Sequence, residues 1–367
     1  MIFIDNYESL EFYIFTSRLF KRLKGGEWMD AINDAVAKPA INMTVYKDLS
    51  SMLPDAVGLD ELGAESTVTD LARFVAWCEN TLSTGQPGIA WHLGQRCDYR
   101  QRGILGEVVF NTGTLGAGLH WLVHFYPLVQ DATNVKLDVH GDVATISYRI
   151  IDPNIWPRHQ DALYTLGVFS TLIRAADGGA WAKIRILLEA SQHDVRADLC
   201  RVVRAPVAYN AQTNAISFPA SLLDKRLNGK HERISQQHII QLSQALTKKN
   251  RSMSVTERVR YKILADLADS QASQEQVARQ LGLSSRTLRR KLSFEGHSYQ
   301  ELLDECRMQL AVREFTTSPC VSLSQMALKL GYTEHSTFTR AFGRWSGVAP
   351  KEYRIAAVDF KDKGAFL

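Results

Sequence analysis

The last third of the chain carries the same device twice, and that duplication constrains the fold more than any other feature. The first copy runs Gln276-Val-Ala-Arg-Gln-Leu-Gly-Leu-Ser-Ser-Arg-Thr-Leu-Arg-Arg-Lys-Leu292. The second runs Gln325-Met-Ala-Leu-Lys-Leu-Gly-Tyr-Thr-Glu-His-Ser-Thr-Phe-Thr-Arg-Ala-Phe342. Each reads as a short amphipathic helix, a glycine, a polar turn and a second amphipathic helix bearing basic residues. Gly282 and Gly331 fall where the chain must turn sharply between packed helices, a position that favours a residue free to take positive φ. Ser273 and Ser322, with Gln276 and Gln325 three residues on, have the spacing of a capping box, and so do Ser254 with Glu257 and Ser298 with Glu301. The pattern predicts a pair of helix-turn-helix units, which points at DNA.

The flanking residues are more specific still. After the second copy comes Gly347-Val-Ala-Pro-Lys-Glu-Tyr-Arg354, and the first ends in a weaker version of that tail, Glu295-Gly-His-Ser-Tyr-Gln-Glu-Leu302. A long helix from Tyr299 to about Phe315 would join the two units. Over about its last 110 residues the chain resembles the DNA-binding domain of AraC/XylS-type bacterial transcription regulators. The resemblance implies an all-α DNA-binding domain over 254–367, with helix-turn-helix units at about 273–294 and 322–345.

In a helix-turn-helix the second helix enters the major groove, and side chains near its N-terminus reach base edges. In the first unit this helix is expected over about Ser285 to Phe294. Leu288 and Leu292 then face the core, and Arg286, Arg289 and Arg290 lie on or beside the other face. In the second unit it is expected over about Glu334 to Trp345, with Phe338 and Phe342 inward and His335, Ser336, Thr337 and Arg340 outward. The arginine fork matches both guanine acceptors, worth roughly 1–3 kcal/mol of discrimination each. The resemblance implies base contacts by Arg286, Arg289, Arg290, His335, Ser336 and Arg340, and Arg344 and Lys351 are assigned to the DNA backbone. The plainer alternative is that these basic residues are solvated or touch phosphates alone.

At 367 residues the chain exceeds one ordinary core, so two domains are expected. Charge divides the same way. From Arg251 onward there are 18 Lys and Arg against 13 Asp and Glu, and the remainder holds 25 against 26. A basic module joined to a near-neutral one fits a nucleic-acid partner for the former. The five cysteines (Cys78, Cys97, Cys200, Cys306 and Cys320) are widely spaced without a C-x-x-C, which reads as buried free thiols in a reducing compartment. The N-terminus lacks the basic start of a signal peptide, and no apolar run reaches the ~18 residues of a membrane span. A cytoplasmic protein with no membrane partner is expected.

Residues 1–230 read as an α+β domain. Helical spacing is seen in 1–26, after Ser66 or Thr67, over Leu115–Tyr126, over 160–176 and over Val195–Val203, with loop-rich sequence over 39–65. Val135–Val139 and Ala144–Ile150 alternate about His140-Gly141-Asp142 as a β-hairpin does. Trp181–Leu188 is a further strand candidate, and Val207–Tyr209 and Ala215–Phe218 flank a turn-like segment. Over roughly 65–230 the chain resembles the sensory domain of an AraC-type subgroup that regulates amino-acid, amine and related catabolic genes. This implies effector binding or dimerisation, followed by a polar, partly helical linker over 231–253.

Other constellations are weak. His120 and His124 have the i, i+4 spacing of a metal pair, but no third ligand or H-E-x-x-H accompanies them, so packed or hydrogen-bonded histidines are the plainer reading and no metal is expected. Gly113–Gly118 lacks the G-x-G-x-x-G spacing and reads as a closely packed helix start. Trp91, Phe110, Trp121, Tyr148, Trp156 and Trp181 suit a pocket or simply a core, and no effector-binding residue is selected. The expected function is a sequence-specific, ligand-responsive regulator, more an activator than a repressor, of a catabolic operon. Its partners would be double-stranded promoter DNA, RNA polymerase, a small-molecule effector and a second copy as homodimer, with no cofactor. An enzyme fused to a DNA-binding module is the rival, but there is no G-x-S-x-G and no cysteine cluster near the N-terminus. A ligand-independent regulator whose N-terminal domain only dimerises is the third reading.

Overall fold

The computed structural model describes residues 38–42, 68–83, 86–177, 180–195, 198–227, 236–268, 272–317 and 321–356. The helical spacing in 1–26 and most of the loop-rich 39–65 stretch lie outside them. Two compact units are present. One comprises 38–150 and 157–252, and the other 253 onward together with 151–156.

The first unit begins with two short antiparallel strands, β1 (Ala40–Asn42) and β2 (Val68–Asp70). Asp70 caps helix α1 (Leu71–Leu82), its carboxylate accepting from the amides of Ala72 and Arg73. Helices α2 (Ile89–Arg96), α3 (Gly103–Asn111) and α4 (Leu115–Phe125) follow. The glycine-rich run before α4 is a helix start: Thr114 is the N-cap, and a Cβ on Gly118 would meet the Val109 carbonyl at 2.6 Å. His120 and His124 lie exposed on α4 with their rings stacked at 6.5 Å.

The predicted hairpin forms, β3 (Thr133–His140) pairing with β4 (Val143–Ile150) around Gly141 at φ 57°. Helix α5 (His159–Asp177) crosses α2 at two glycines. A Cβ on Gly94 would strike the Tyr164 carbonyl at 2.1 Å, and one on Gly167 the Trp91 carbonyl at 2.5 Å, so only glycine allows this approach. Trp181–Leu188 is a strand only in part, β5 (Arg185–Leu187), after a 3-10 turn over Ala180–Lys183. The helix expected over Val195–Val203 is the shorter α6 (Leu199–Val203).

Strands β6 (Val207–Ala208) and β7 (Asn214–Pro219) flank the turn-like segment without pairing with each other. The sheet order is β3-β4-β7-β5-β6, with β5 inserted between them and parallel to β6. The stretch read as linker carries helix α7 (Gln236–Ser252), which belongs to this unit. Lys249 reaches Asp131 at 2.7 Å and His238 reaches Glu107 at 3.3 Å. Cys78 and Cys97 are buried, as expected, whereas Cys200 is exposed.

The regular elements described in the second unit are all helices: α8 (Val255–Ala268), α9 (Gln274–Gln280), α10 (Ser285–Phe294), α11 (Tyr299–Thr317), α12 (Leu323–Lys329) and α13 (His335–Ser346), with residues 350–356 helical as well. Val259, Ile263, Leu264, Val277, Leu288, Leu292 and Cys306 are buried around the first copy. The second copy closes on Met308, Val312, Phe315, Met326, Phe338, Phe342 and Tyr353.

Candidate nucleic-acid interface

Each helix-turn-helix is built from local signals. Gly282 and Gly331 take φ of 67° and 75°, and each turn places the next helix within four residues. Ser322 and Gln325 close a reciprocal capping box, and Ser273 Oγ accepts from the Gln276 amide at 3.2 Å. The boxes at Ser254–Glu257 and Ser298–Glu301 close in both directions, with carboxylate bonds of 2.7 Å in each. In the first copy, Gln274 Nε2 donates to the Ser285 carbonyl at 3.3 Å, tying α9 to the start of α10.

At 100° per residue, Leu288 and Leu292 define the buried side of α10, and Arg286, Arg290 and Phe294 form the stripe opposite. All three are exposed, Phe294 to 92%. The second copy repeats this register fifty residues later. Phe338 and Phe342 are buried, and Ser336, Arg340 and Arg344 form the opposite stripe. Arg289 is exposed beside the first stripe, whereas His335, the first residue of α13, is exposed but projects on the side of Phe338 and Phe342. Among the described residues, Arg286, Arg289, Arg290 and Arg340 make no hydrogen bond or ion pair, so their guanidinium groups meet a partner without first breaking a protein contact. Ser336 Oγ is engaged by Glu334 at 3.2 Å.

Arg344 differs from those arginines, because its Nη2 lies 2.8 Å from Asp304 of α11. Lys351 is exposed at the start of the last helical segment. Two positioning groups escaped sequence reasoning. Arg307 of α11 donates to the Leu330 carbonyl at 2.9 Å and stacks over Tyr332 at 4.3 Å, bracing the second turn. Glu295, just after α10, accepts from the amides of Val255 and Thr256 at 3.0 and 2.8 Å, satisfying donors at the N-terminus of α8 from forty residues away. Neither contact has a sequence signature, since each joins residues more than twenty positions apart.

Two helix-turn-helix units carrying exposed basic stripes, in a chain that also holds an α+β unit, define a two-domain DNA-binding regulator. Comparison with known families agrees. The N-terminal arabinose-binding domain of AraC transcription regulators matches residues 55–227, and a helix-turn-helix domain family matches residues 277–356. The two matches follow one another in the order of the sensory and DNA-binding parts of an AraC-type transcription regulator. It is 26% identical to the ornithine utilization regulator of Pseudomonas aeruginosa over 333 residues, covering 90% of this chain and 95% of that one. It is 28% identical to an uncharacterised HTH-type transcriptional regulator of Mycobacterium tuberculosis, covering 82% and 85%. The crystal structure of the transcriptional regulator CdpR from Pseudomonas aeruginosa is 25% identical, covering 85% of this chain and 98% of that one, at a TM-score of 0.38. No described helix is long and apolar enough to cross a membrane.

Proposed function

We propose that the chain is a cytoplasmic activator of catabolic genes that reads an asymmetric promoter site with both helix-turn-helix units of one monomer. Arg286, Arg289 and Arg290 would contact bases from α10, and His335, Ser336 and Arg340 from α13. Lys351 would hold the phosphate backbone, and Arg344 would do so in competition with its Asp304 pair. The observation that carries this reading is the matched pair of exposed stripes opposite the buried faces of α10 and α13, with unpaired arginines at the same register in both copies. Helix α11, 19 residues long, extends about 28 Å at 1.5 Å per residue, a length suited to recognition helices in successive groove segments about 34 Å apart.

Residues 1–230 would receive a small amine, amino acid or related catabolite, a reading supported by the name of the ornithine utilization regulator. Ligand binding would shift an equilibrium between states that engage DNA and RNA polymerase differently, in a monomer or a homodimer. A complete switch requires about 5.5 kcal/mol of differential affinity. The test is selection of a binding site from random duplexes, followed by titration of that site and of non-specific DNA at several salt concentrations. Arg290→Ala and Arg340→Ala are expected to weaken the selected site far more than non-specific DNA. An equal loss on both would reduce these arginines to phosphate contacts.

A further inference from the structure

Among the described residues Phe294 is the most exposed large apolar side chain, at 92%, so its ring packs on almost nothing in the protein. A single apolar group at a surface is ordinary. This one has an unusual address. It ends the stripe of α10 that Arg286 and Arg290 begin, one further helical turn along and on the side opposite buried Leu288 and Leu292.

The exposure is not that of a frayed helix end. Gly296 takes φ 84°, its amide donates to the Ser293 carbonyl at 3.2 Å, and the His297 amide donates to the Leu292 carbonyl at 2.9 Å. These are the two bonds of a Schellman turn. Glu295, next to Phe294, accepts from the amides of Val255 and Thr256 at the start of α8. The backbone that carries the ring is therefore tied within its own helix end and to a second helix. None of these contacts uses the ring, so a polar residue at 294 would satisfy the fold equally well.

The second copy shows what else the position can carry. Phe294 and Arg344 stand in register, each two residues past the second buried residue of its helix, Leu292 or Phe342. A guanidinium there can take a phosphate, and a phenyl ring cannot. Yet Arg286 and Arg290, on the same stripe and without partners among the described residues, suit a polyanion. An apolar side chain on such a surface needs an apolar complement, and in the major groove of DNA that is the C5 methyl group of thymine. We propose that Phe294 is a specificity-determining residue of the first helix-turn-helix unit, its ring packing on a thymine methyl. The inference rests on reading α10 as the helix that enters the groove. Four helical residues advance about 6 Å, close to two base-pair steps, which places the thymine about two base pairs beyond the one contacted by Arg290, on the side away from Arg286.

The test uses the full chain and the site selected from random duplexes. Each thymine of that site is replaced in turn by deoxyuridine, which lacks the C5 methyl and keeps the pairing edge and the O4 acceptor. One replacement, next to the base pair whose recognition Arg290→Ala abolishes, is expected to weaken wild-type binding about fourfold, the equivalent of one buried methyl group. Phe294→Ala is expected to lose a similar factor on the thymine duplex and to become indifferent to the replacement, closing a double-mutant cycle. Its affinity for non-specific DNA stays unchanged, because the ring carries no charge. Phe294→Arg, which restores the residue type of the second copy, is expected to be equally indifferent to the methyl while binding all duplexes more tightly at low salt. A selected half-site without thymine at that place overturns the inference, as does a Phe294→Ala variant that keeps the methyl effect. Wild-type affinity of Phe294→Ala for every duplex also overturns it and leaves the ring to a protein partner. Arg290→Ala on the same duplexes separates the two readings. If it loses the selected site more than non-specific DNA while no methyl effect is seen, the role of Phe294 alone fails. If it loses both equally, or no preferred sequence is recovered, base reading by α10 fails and this inference with it.

Discussion

The recognition helices of the second unit and the surroundings of Glu189 and Asp161 in the first treat charge in opposite ways. The helix-turn-helix unit carries Arg286, Arg289, Arg290 and Arg340 at its surface without partners among the described residues, where water solvates them until a polyanion arrives. Around α5 the N-terminal unit instead pairs largely buried charges with one another. Glu189 takes Arg149 at 2.7 Å and Arg158 at 3.2 Å, Asn214 donates to the same carboxylate at 3.1 Å, and Asp161 keeps one oxygen unmet. Exposed, unpaired charge is available for binding at little cost to folding. Buried charge is tied to stability.

The sharpest way to break this contrast is to remove a buried partner. Glu189→Ala leaves Arg158 without its main counter-charge, and a loss of about 3–5 kcal/mol is expected in denaturant unfolding. A loss below 1 kcal/mol would mean that these groups are solvated after all. Next in size is a pH effect. Asp161 titrates at about 6 in the folded protein against an ordinary value of 3.8. Its contribution to stability is therefore complete below pH 3.8 and lost as pH rises through 6. Between pH 4 and 7 the wild type should lose on the order of 2–3 kcal/mol relative to Asp161→Asn, and a pH-independent difference would contradict the burial argument.

The arginine stripes come third. Arg290→Ala and Arg340→Ala should each lower specific DNA binding by about 1–3 kcal/mol, with unfolding midpoints unchanged. Smallest is the Arg344–Asp304 pair. Breaking it with Asp304→Asn should change stability by about 0–1 kcal/mol while strengthening DNA binding slightly at low salt, read by fluorescence anisotropy. Within the basic unit the two copies differ at that same register position. The first carries Phe294 where the second carries Arg344, so the third place in the stripe is apolar in one copy and held by a carboxylate in the other.

Much of the DNA-binding unit was legible in the sequence, because its signals are short-range. A serine and a glutamine or glutamate three apart, a glycine at the turn and leucines or phenylalanines four apart report on one or two helical turns, and all of them recur in the structure. Which residues lie opposite the core follows from the same periodicity, which is why the arginine stripes could be named beforehand. The joining helix ends at Thr317, two residues past the expected end. The β3–β4 hairpin was equally legible from alternation about Gly141.

The N-terminal unit was legible only in outline. Alternation marks a strand but carries no information about its neighbour, and the segments on either side of the turn-like 210–214 stretch do not pair, since β5 lies between their strands. The polar composition of 236–252 suggested a linker, yet Lys249 and His238 reach carboxylates more than a hundred residues earlier in the chain. Asp161 falls in the first turn of α5, where nothing in the local sequence sets it apart. Only packing places Tyr148 and Gln130 on it while leaving Oδ1 unmet. Caps, turns and amphipathic faces are decided within a few residues, so the amino-acid order by itself determined the exposed basic stripes proposed to read DNA. Strand order, the docking of 236–252 and the buried partners of Asp161 and Glu189 depend on contacts between distant residues, and there only the tertiary structure decided.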